Sequence, residues 1–176
     1  KMIKLSSFLI MLLLVSNSIC SAQNETELKA EAITSAKATS QALLKLDYET
    51  IIKYTHPNII QASGGKDKMI SILETAMNSA KDMGVIIEKS DVGNLIAFEK
   101  EQGQYRCLVE SFLMITMQTQ KKRIHLKSSL FGFYDADIKQ WYFVEADKLI
   151  KGAATFFPDF KTSISIPENV QNVEDL

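Results

Sequence analysis

The chain has 176 residues, of which 46% are hydrophobic and 23% charged, and 20 basic against 21 acidic residues leave a formal net charge of -1. This balance provides no strong positive field, so we expect no nucleic-acid partner. Two cysteines cannot form a disulfide scaffold, and seven glycines with three prolines exclude a collagen-like chain. The length suits one domain with a hydrophobic core.

The first 22 residues have the pattern of a secretory signal peptide. Two lysines precede an apolar run from Leu5 to Val15, and small polar residues follow up to Ala22. The run is shorter than the roughly 20 residues that span a bilayer, which favours cleavage after Ala22 over a membrane anchor. We therefore predict export to the periplasm or the outside, without stable membrane insertion after cleavage. Ile19 before Cys20 disfavours the alternative of a lipoprotein.

Residues 23–167 are predicted to form one domain, followed by a polar tail at 168–176 that we expect to be frayed. Helical spacing predicts three helices, at about 24–46, 48–54 and 66–83. Asn24 begins a capping box for the first, Asp47 caps the second, and Gly84 stops the third. Pro57 ends the second helix, and residues 58–62 are typical of a strand. The buried stripe of the third helix is predicted to be Ile70, Leu73, Met77 and Ala80.

Alternating polarity predicts an antiparallel sheet after Gly84, with strand segments at about 85–91, 94–100, 104–118, 122–134 and 140–146. The first two segments form one long strand if Gly93 marks a bulge. With Gln120 and Lys121 at the tip of the long hairpin, Arg106 is predicted to face Asp135. Helices followed by an antiparallel sheet predict the α+β class.

The hairpin has two different faces in this register. An apolar face is predicted to cover the core, and it carries Tyr105, Cys107, Val109, Leu113, Ile115 and Met117 with Ile124, Leu126, Leu130 and Tyr134. Cys107 is therefore interpreted as a buried, unreactive thiol. The reverse face is polar but also carries Phe112, Met114, Phe131 and Phe133, which indicate a subunit contact. Beyond the last strand, Phe156-Phe-Pro158 and Ile164-Ser-Ile-Pro167 predict that the chain folds back over hydrophobic surface.

Several local motifs accompany this order of elements. They are Tyr54-Thr-His-Pro57, Gly64-Gly65-Lys66, Lys127-Ser-Ser-Leu-Phe-Gly132, Gln140-Trp-Tyr-Phe-Val144, Phe157-Pro-Asp159 and Ile166-Pro167. With them, residues 25–150 resemble bacterial secreted members of the nuclear transport factor 2-like superfamily. The resemblance implies a cone in which three helices pack on a strongly curved, mostly antiparallel sheet around a cavity. It also implies a homodimer through the sheet face. The superfamily includes isomerases, dehydratases, cyclases, transport factors and domains without known activity, so the fold does not select a function.

Four residues are candidates for lining such a pocket: Tyr54, His56, Trp141 and Glu145. The resemblance places His56 near the mouth of the cone, where an imidazole could exchange protons; alternatively it is a helix-terminal side chain held by local hydrogen bonds. Glu145 shares a face with Trp141 and lines the cavity if that ring packs inward; otherwise it lies in water at the strand end. Tyr54 supplies a hydroxyl or completes the core.

No cofactor and no metal site are predicted, because the only two histidines lie far apart and no Cys/His cluster accompanies them. Gly64-Gly65-Lys66 lacks the spacing of a phosphate loop and is interpreted as a turn. We predict an exported, noncatalytic domain that binds a small apolar molecule, a peptide or a protein partner through its cavity or sheet face. The alternative is a cofactor-free enzyme of isomerase, dehydratase or cyclase type that moves a proton with a pocket histidine or carboxylate.

Overall fold

A computed structural model describes residues 3–176, with the side chains of residues 24–152 and 155–176. It divides into two compact units, of which one ends at Glu31 and the other spans Ala32–Leu176. The predicted signal peptide, residues 1–22, lies outside the residues whose side chains are described, so cleavage and export stay predictions. Within the described chain, no helix combines the length and the apolar character that crossing a membrane requires.

The helices of the described chain are α1 (Ile3–Lys45), α2 (Tyr48–Tyr54), α3 (Pro57–Ala62), α4 (Lys66–Asp82) and α5 (Ala146–Phe156). The predicted bounds of α2 are confirmed, as is the end of α4 just before Gly84, whose φ is 77°. Asp47 caps α2 by accepting hydrogen bonds from the amide and the hydroxyl of Thr50, at 3.1 and 2.7 Å. The start predicted for α1 is wrong, because the helix continues through Asn24; the residues before it include Ala and Gln, which favour helix.

The strand predicted at residues 58–62 is also wrong, because this segment forms the short helix α3. Pro57 occupies a first-turn position of α3, where the missing N–H of proline leaves no hydrogen bond unmade. His56 precedes it with an extended backbone and serves as the N-cap. The same proline therefore ends one helix and begins the next.

The α+β class is confirmed by an antiparallel sheet with the order β1-β2-β3-β4, in which a fifth strand also pairs with β3. The strands are β1 (Val85–Glu101), β2 (Gln104–Met117), β3 (Lys122–Asp135), β4 (Gln140–Glu145) and β5 (Val170–Asp175). β1 is one long strand, and its pairing with β2 shifts register between Val92 and Leu95. This irregularity spans Gly93, which confirms the predicted bulge.

The register predicted for the β2–β3 hairpin is wrong by two positions, since Arg106 faces Phe133 and not Asp135. A short 3-10 turn, Gln118–Gln120, together with a left-handed Lys121, separates the strands by four residues where two were predicted. A shift of two residues leaves every side chain on the same face of the sheet. The predicted division into two faces therefore holds.

The inner face of the sheet packs against the C-terminal part of α1. Ala32, Ala36 and Ser40 recur once per turn of this helix and are buried, and Ser40 Oγ lies 2.6 Å from Ser90 Oγ on β1. Small side chains at this spacing let the helix approach the strand closely. Cys107 is fully buried on the same face of the sheet, and burial raises the pKa of its thiol, which agrees with the predicted unreactive cysteine.

The C-terminal segment covers one end of the reverse face. The buried cluster on this face comprises Leu108, Phe131, Phe133, Val144, Ala146, Leu149 and Ile164, and partly buried Ile59, Ala97, Phe157, Phe160 and Ile166 pack against it. The predicted fold-back of the chain is confirmed. The interpretation of Phe131 and Phe133 as a subunit contact is wrong, because the chain's own C-terminal residues bury them. Phe112 is 36% exposed and Met114 is half-buried on the same face, and the homodimer itself stays a prediction.

Two elements near the C-terminus are absent from the sequence predictions. The helix α5 follows directly after β4, where only a strand end is predicted. β5 pairs with Lys122–Lys127 of β3, so the expectation of a frayed tail is wrong for residues 170–175. β4 pairs only with the other half of the same edge, Leu130–Asp135. The backbone groups of Lys122–Lys127 are therefore left for a further strand to pair with.

Candidate functional site

A cavity of about 460 Å³ lies between the helices and the inner face of the sheet. This volume falls within the range of about 300–1,000 Å³ that is typical of small-molecule sites. Its lining is chiefly apolar and comprises Leu43, Ile51, Ile59, Met69, Leu113, Leu126, Leu130, Phe143, Val144, Leu149, Phe156 and Phe157. Residues from every helix and from four strands contribute to the walls, so the cavity is a product of the tertiary structure.

The cavity exists because side chains fill the inner face of the sheet at one end only. At the filled end, Trp141 is 1% exposed and contacts the rings of Phe98, Tyr134 and Phe143 at centroid distances of 6.1, 5.2 and 6.5 Å. Towards the other end, the inner-face leucines Leu113, Leu126 and Leu130 are half-buried and line the cavity. Unfilled space there is bounded by hydrocarbon.

The helix α4 borders this open end without sealing it. The predicted stripe of Ile70, Leu73, Met77 and Ala80 is the protected face of α4, but each of these residues is only half-buried. No residue of α4 is buried in the described structure. Met69 is the α4 residue that lines the cavity. α4 therefore forms one wall of the cavity and does not fill it.

The structure separates the four predicted pocket residues into two pairs. Tyr54 and Glu145 line the cavity. Trp141 does pack inward, as the prediction for Glu145 requires, but it lies in the filled core beside the cavity. Its Nε1 has no hydrogen-bond partner among the described residues. His56 lies outside the cavity lining, at the margin of the reverse-face cluster.

His56 is surrounded by aromatic rings. Its centroid lies 5.0 Å from that of Phe133, 5.8 Å from Tyr142 and 4.7 Å from Phe157, each in an edge-on arrangement. Its Nδ1 accepts a hydrogen bond of 3.2 Å from the amide of Asn58, which makes it the cap of α3. Of the two interpretations of this residue, the helix-terminal side chain held by a local hydrogen bond matches the geometry.

We expect acid to destabilise the fold through His56. Burial lowers the pKa of His56 from 6.5 to about 4, against the opposing influence of the Asp135 carboxylate. The unfolded chain therefore binds this proton at a higher pH than the folded chain does. The stability that depends on an uncharged His56 is present in full above pH 6.5 and is lost as the pH falls toward about 4. With allowance for partial exposure, the free energy of unfolding should fall by about 1–2 kcal/mol across this window.

Urea unfolding at a series of pH values measures this effect. His56→Asn is the matched control, since asparagine is also a good N-cap but does not titrate. We expect the free energy of unfolding of the variant to depend less on pH between pH 6.5 and about 4 than that of the parent chain. A slope in the variant equal to that of the parent chain would contradict the assignment to His56.

The polar groups of the cavity are mostly hydroxyls. Ser111 and Ser128 face each other across β2 and β3, and both line the cavity. Thr39, Ser40, Thr55 and Ser90 also line the cavity. The charged lining residues, Glu145 and Lys148, form an ion pair of 2.5 Å with side chains 50% and 71% exposed, so they stand at the rim in contact with water.

The two facing serines were missed by reasoning from the sequence. They interrupt the apolar face of the hairpin at one position in each strand, and this interruption is the signal that could have found them. The predicted register concealed it, because it set Ser111 opposite Leu130 instead of Ser128.

This arrangement is suited to holding an apolar molecule. A carboxyl group is prepared for acid–base chemistry by desolvation, whereas the Glu145 side chain is half exposed and bound to Lys148. Among the described residues, no group of three or more His, Cys, Asp or Glu side chains could hold a metal ion. The cavity is lined chiefly by hydrocarbon side chains and a few uncharged hydroxyl groups.

Comparisons with protein families, with curated proteins and with solved structures find no match to this chain. The resemblance to the nuclear transport factor 2-like superfamily therefore stays a prediction.

Proposed function

We propose that this chain is an exported, noncatalytic binding domain that holds a small apolar molecule in the cavity between its helices and the inner face of its sheet. The observation that supports this proposal most directly is the cavity of about 460 Å³ with walls of leucine, isoleucine and phenylalanine side chains. Transfer of apolar ligand surface from water into such a cavity contributes about 25 cal/mol per Å². A few polar groups then fix the orientation of the ligand.

The described contacts also favour a cavity that keeps its form without a ligand. Thr55 forms a parallel bridge with Phe143, and Gln140 Nε2 donates to the carbonyl of Lys53 at 2.6 Å, so the end of α2 is attached to β4. Asn58 Nδ2 donates to the carbonyl of Phe156 at 2.9 Å and attaches α3 to α5. Preformed walls reduce the entropy that binding would otherwise cost.

A cofactor-free proton-transfer enzyme is the second candidate, because Glu145 places one carboxylate at the cavity rim. Two observations make it the weaker proposal: the carboxylate of Glu145 is paired with Lys148, and His56 packs edge-on against aromatic rings outside the cavity lining. If Glu145 served as an acid or base, Glu145→Gln would abolish turnover of a substrate. In the binding domain that we propose, the same variant binds an apolar probe as the parent does.

Filling the cavity should weaken binding. Met69→Trp adds an indole at the α4 wall, and we expect it to weaken the binding of the neutral apolar probe 1-N-phenylnaphthylamine by about tenfold or more, because the probe and the ring compete for the same space. The fluorescence increase of the probe on titration with protein measures the dissociation constant.

Met77→Trp is the matched control. It adds the same side chain to the same helix at a half-buried position outside the cavity lining, and it should bind the probe like the parent. Absence of probe binding to the parent chain would overturn the proposed function. Equal losses in both variants would show that the probe does not occupy the cavity.

A further inference from the structure

The outer edge of β3 has a gap in its backbone pairing. β4 pairs with Leu130–Asp135 and β5 with Lys122–Lys127 of this edge. Ser128 and Ser129 fall between them, and the described chain pairs neither with a strand there. Because consecutive residues of a strand direct their N–H and C=O groups to opposite neighbours, one of these two serines directs both groups into the gap. Such groups require a hydrogen-bond partner, from water or from a ligand.

The cavity extends to this gap. Ser128 and Leu130 of β3 line it, as does Glu145 at the end of β4. Leu149 also lines it, although this residue belongs to the cluster on the reverse face. Because the cavity contacts both the inner face of the sheet and Leu149 on the reverse face, it extends past the end of β4. One part of the cavity therefore lies beside the unpaired backbone.

Two hydroxyl groups line the cavity near this gap, one on β3 itself and one on the neighbouring strand β2. Ser111 and Ser128 are opposite each other and half-buried, and the described residues give neither hydroxyl a hydrogen-bond partner. By contrast, Ser40 and Ser90 bond each other at 2.6 Å. A serine hydroxyl can donate one hydrogen bond and accept others. The facing pair thus offers a donor and acceptors to a group that enters between them.

The character of these groups indicates an uncharged partner. The one lysine of the lining, Lys148, is bound by Glu145 at the exposed rim, so no unpaired charge awaits a carboxylate or an amine. Burial of a charge without a partner costs far more than burial of a hydroxyl. A peptide would bring many amide groups into walls that are mostly hydrocarbon. These costs exclude charged and strongly polar ligands from the interior.

Resting on the proposed function, we propose that the ligand is an uncharged molecule with an apolar chain or ring system and one hydroxyl or carbonyl group. That group binds between Ser111 and Ser128, near the gap between β4 and β5. The apolar part lies against the leucines of β2 and β3 and against α2 to α4. The serine pair is thus the specificity element of the cavity, and the hydrocarbon walls supply most of the affinity.

Competition between matched ten-carbon probes tests this proposal. 1-Decanol and decanoate each displace 1-N-phenylnaphthylamine from the parent chain, from Ser111→Ala/Ser128→Ala and from the control Ser129→Ala, whose side chain lies on the reverse face. We expect decanol to bind the parent at least about tenfold more tightly than decanoate. In the double variant the affinity for decanol should fall about tenfold while the naphthylamine binds unchanged. Ser129→Ala should retain the affinity of the parent for decanol.

The outcomes distinguish this proposal from the proposed function. If decanoate binds as well as decanol, or if the double variant keeps full affinity for decanol, the serine pair does not select the ligand and the proposal is overturned. The same holds if the naphthylamine binds and decanol does not displace it. If the naphthylamine itself fails to bind the parent, the proposed function fails first. Circular dichroism of each variant verifies that the fold is intact.

Discussion

Arg106→Met should lower the free energy of unfolding by about 3–5 kcal/mol, because it leaves a buried carboxylate without its cation. The Arg106 side chain is 6% exposed and that of Glu101 14%, and Nη1 lies 3.2 Å from Glu101 Oε2. The same guanidinium donates to the carbonyl of Lys161 at 2.5 Å and to Gln102 Oε1 at 2.6 Å. It also lies over the rings of Phe133 and Phe160. One side chain thus links the β1–β2 hairpin to the C-terminal segment.

Glu101 holds the other side of this link. Burial raises the pKa of its carboxyl group, but the hydroxyl and the amide of Ser163, the hydroxyl of Thr162 and Arg106 donate hydrogen bonds to it and hold the pKa at about 2. The folded state therefore releases this proton more readily than the unfolded state, whose pKa is near 4.5. The stabilisation is present above pH 4.5 and is lost as the pH falls toward about 2.

Urea unfolding of a double-mutant cycle measures the coupling. Arg106→Met/Glu101→Gln should cost less than the sum of the single variants, because the second change removes the charge that the first leaves unpaired. Lys151→Met is the control, since it breaks an exposed pair with Asp147 and should change stability by less than about 0.5 kcal/mol. A cost for Arg106→Met as small as that of the control would contradict a structural role for the buried pair.

The link also matters for the cavity. Phe156 and Phe157 line it, and Phe157 packs against the cluster that Arg106 borders. A C-terminal segment loosened by Arg106→Met would remove two aromatic walls. We therefore expect weaker probe binding to accompany the loss of stability.

The parts of the fold that local chemistry decides could be predicted from the sequence. Asp47 as a cap, Gly84 as a left-handed stop and the alternation along β2 and β3 each depend on residues that are close in the chain. The bulge at Gly93 belongs to the same class. These signals were sufficient for the α+β class and for the two faces of the sheet.

The remaining features depend on contacts between distant segments. The hairpin register follows from the left-handed Lys121, which L-residues adopt only rarely. α5 packs on the reverse face of the sheet and β5 pairs with the edge of β3. The local sequence of neither segment indicates which element it contacts. The gap at Ser128 and Ser129 exists only where β4 stops and β5 has not begun. Sequence reasoning therefore named Tyr54 and Glu145 of the cavity lining but missed the facing serines, Ser111 and Ser128.

Gly132→Ala should lower the free energy of unfolding by about 2–3 kcal/mol through overpacking alone. Gly132 faces Cys107 on one neighbouring strand and Phe143 on the other. A Cβ atom at this position would overlap with Cys107 Sγ and would lie 3.0 Å from Phe143 Cε1 and 3.2 Å from Trp141 Cε3. The glycine is needed here for space, since its φ is not in the left-handed region.

Removal of the opposing sulfur should relieve this strain. In Gly132→Ala/Cys107→Ala the new methyl group occupies space that the thiol vacates, so the double variant should be more stable than the sum of the two single changes predicts, by about 1 kcal/mol or more. Gly152→Ala in α5 is the control, because a Cβ there meets only the edge of one ring, that of Phe156, at 3.1 and 3.2 Å, and alanine favours helix. Strictly additive losses in the cycle would refute the steric explanation.

The same cycle connects the core to the cavity. Phe143 lies beside Gly132 in the filled core and also lines the cavity, so a methyl group that displaces its ring changes a wall of the cavity. Binding of 1-N-phenylnaphthylamine should therefore weaken in Gly132→Ala and recover in the double variant. Recovery of stability without recovery of binding would show that Phe143 does not shape the ligand site. Recovery of both would show that the shape of the cavity is set by the packing of the core beside it.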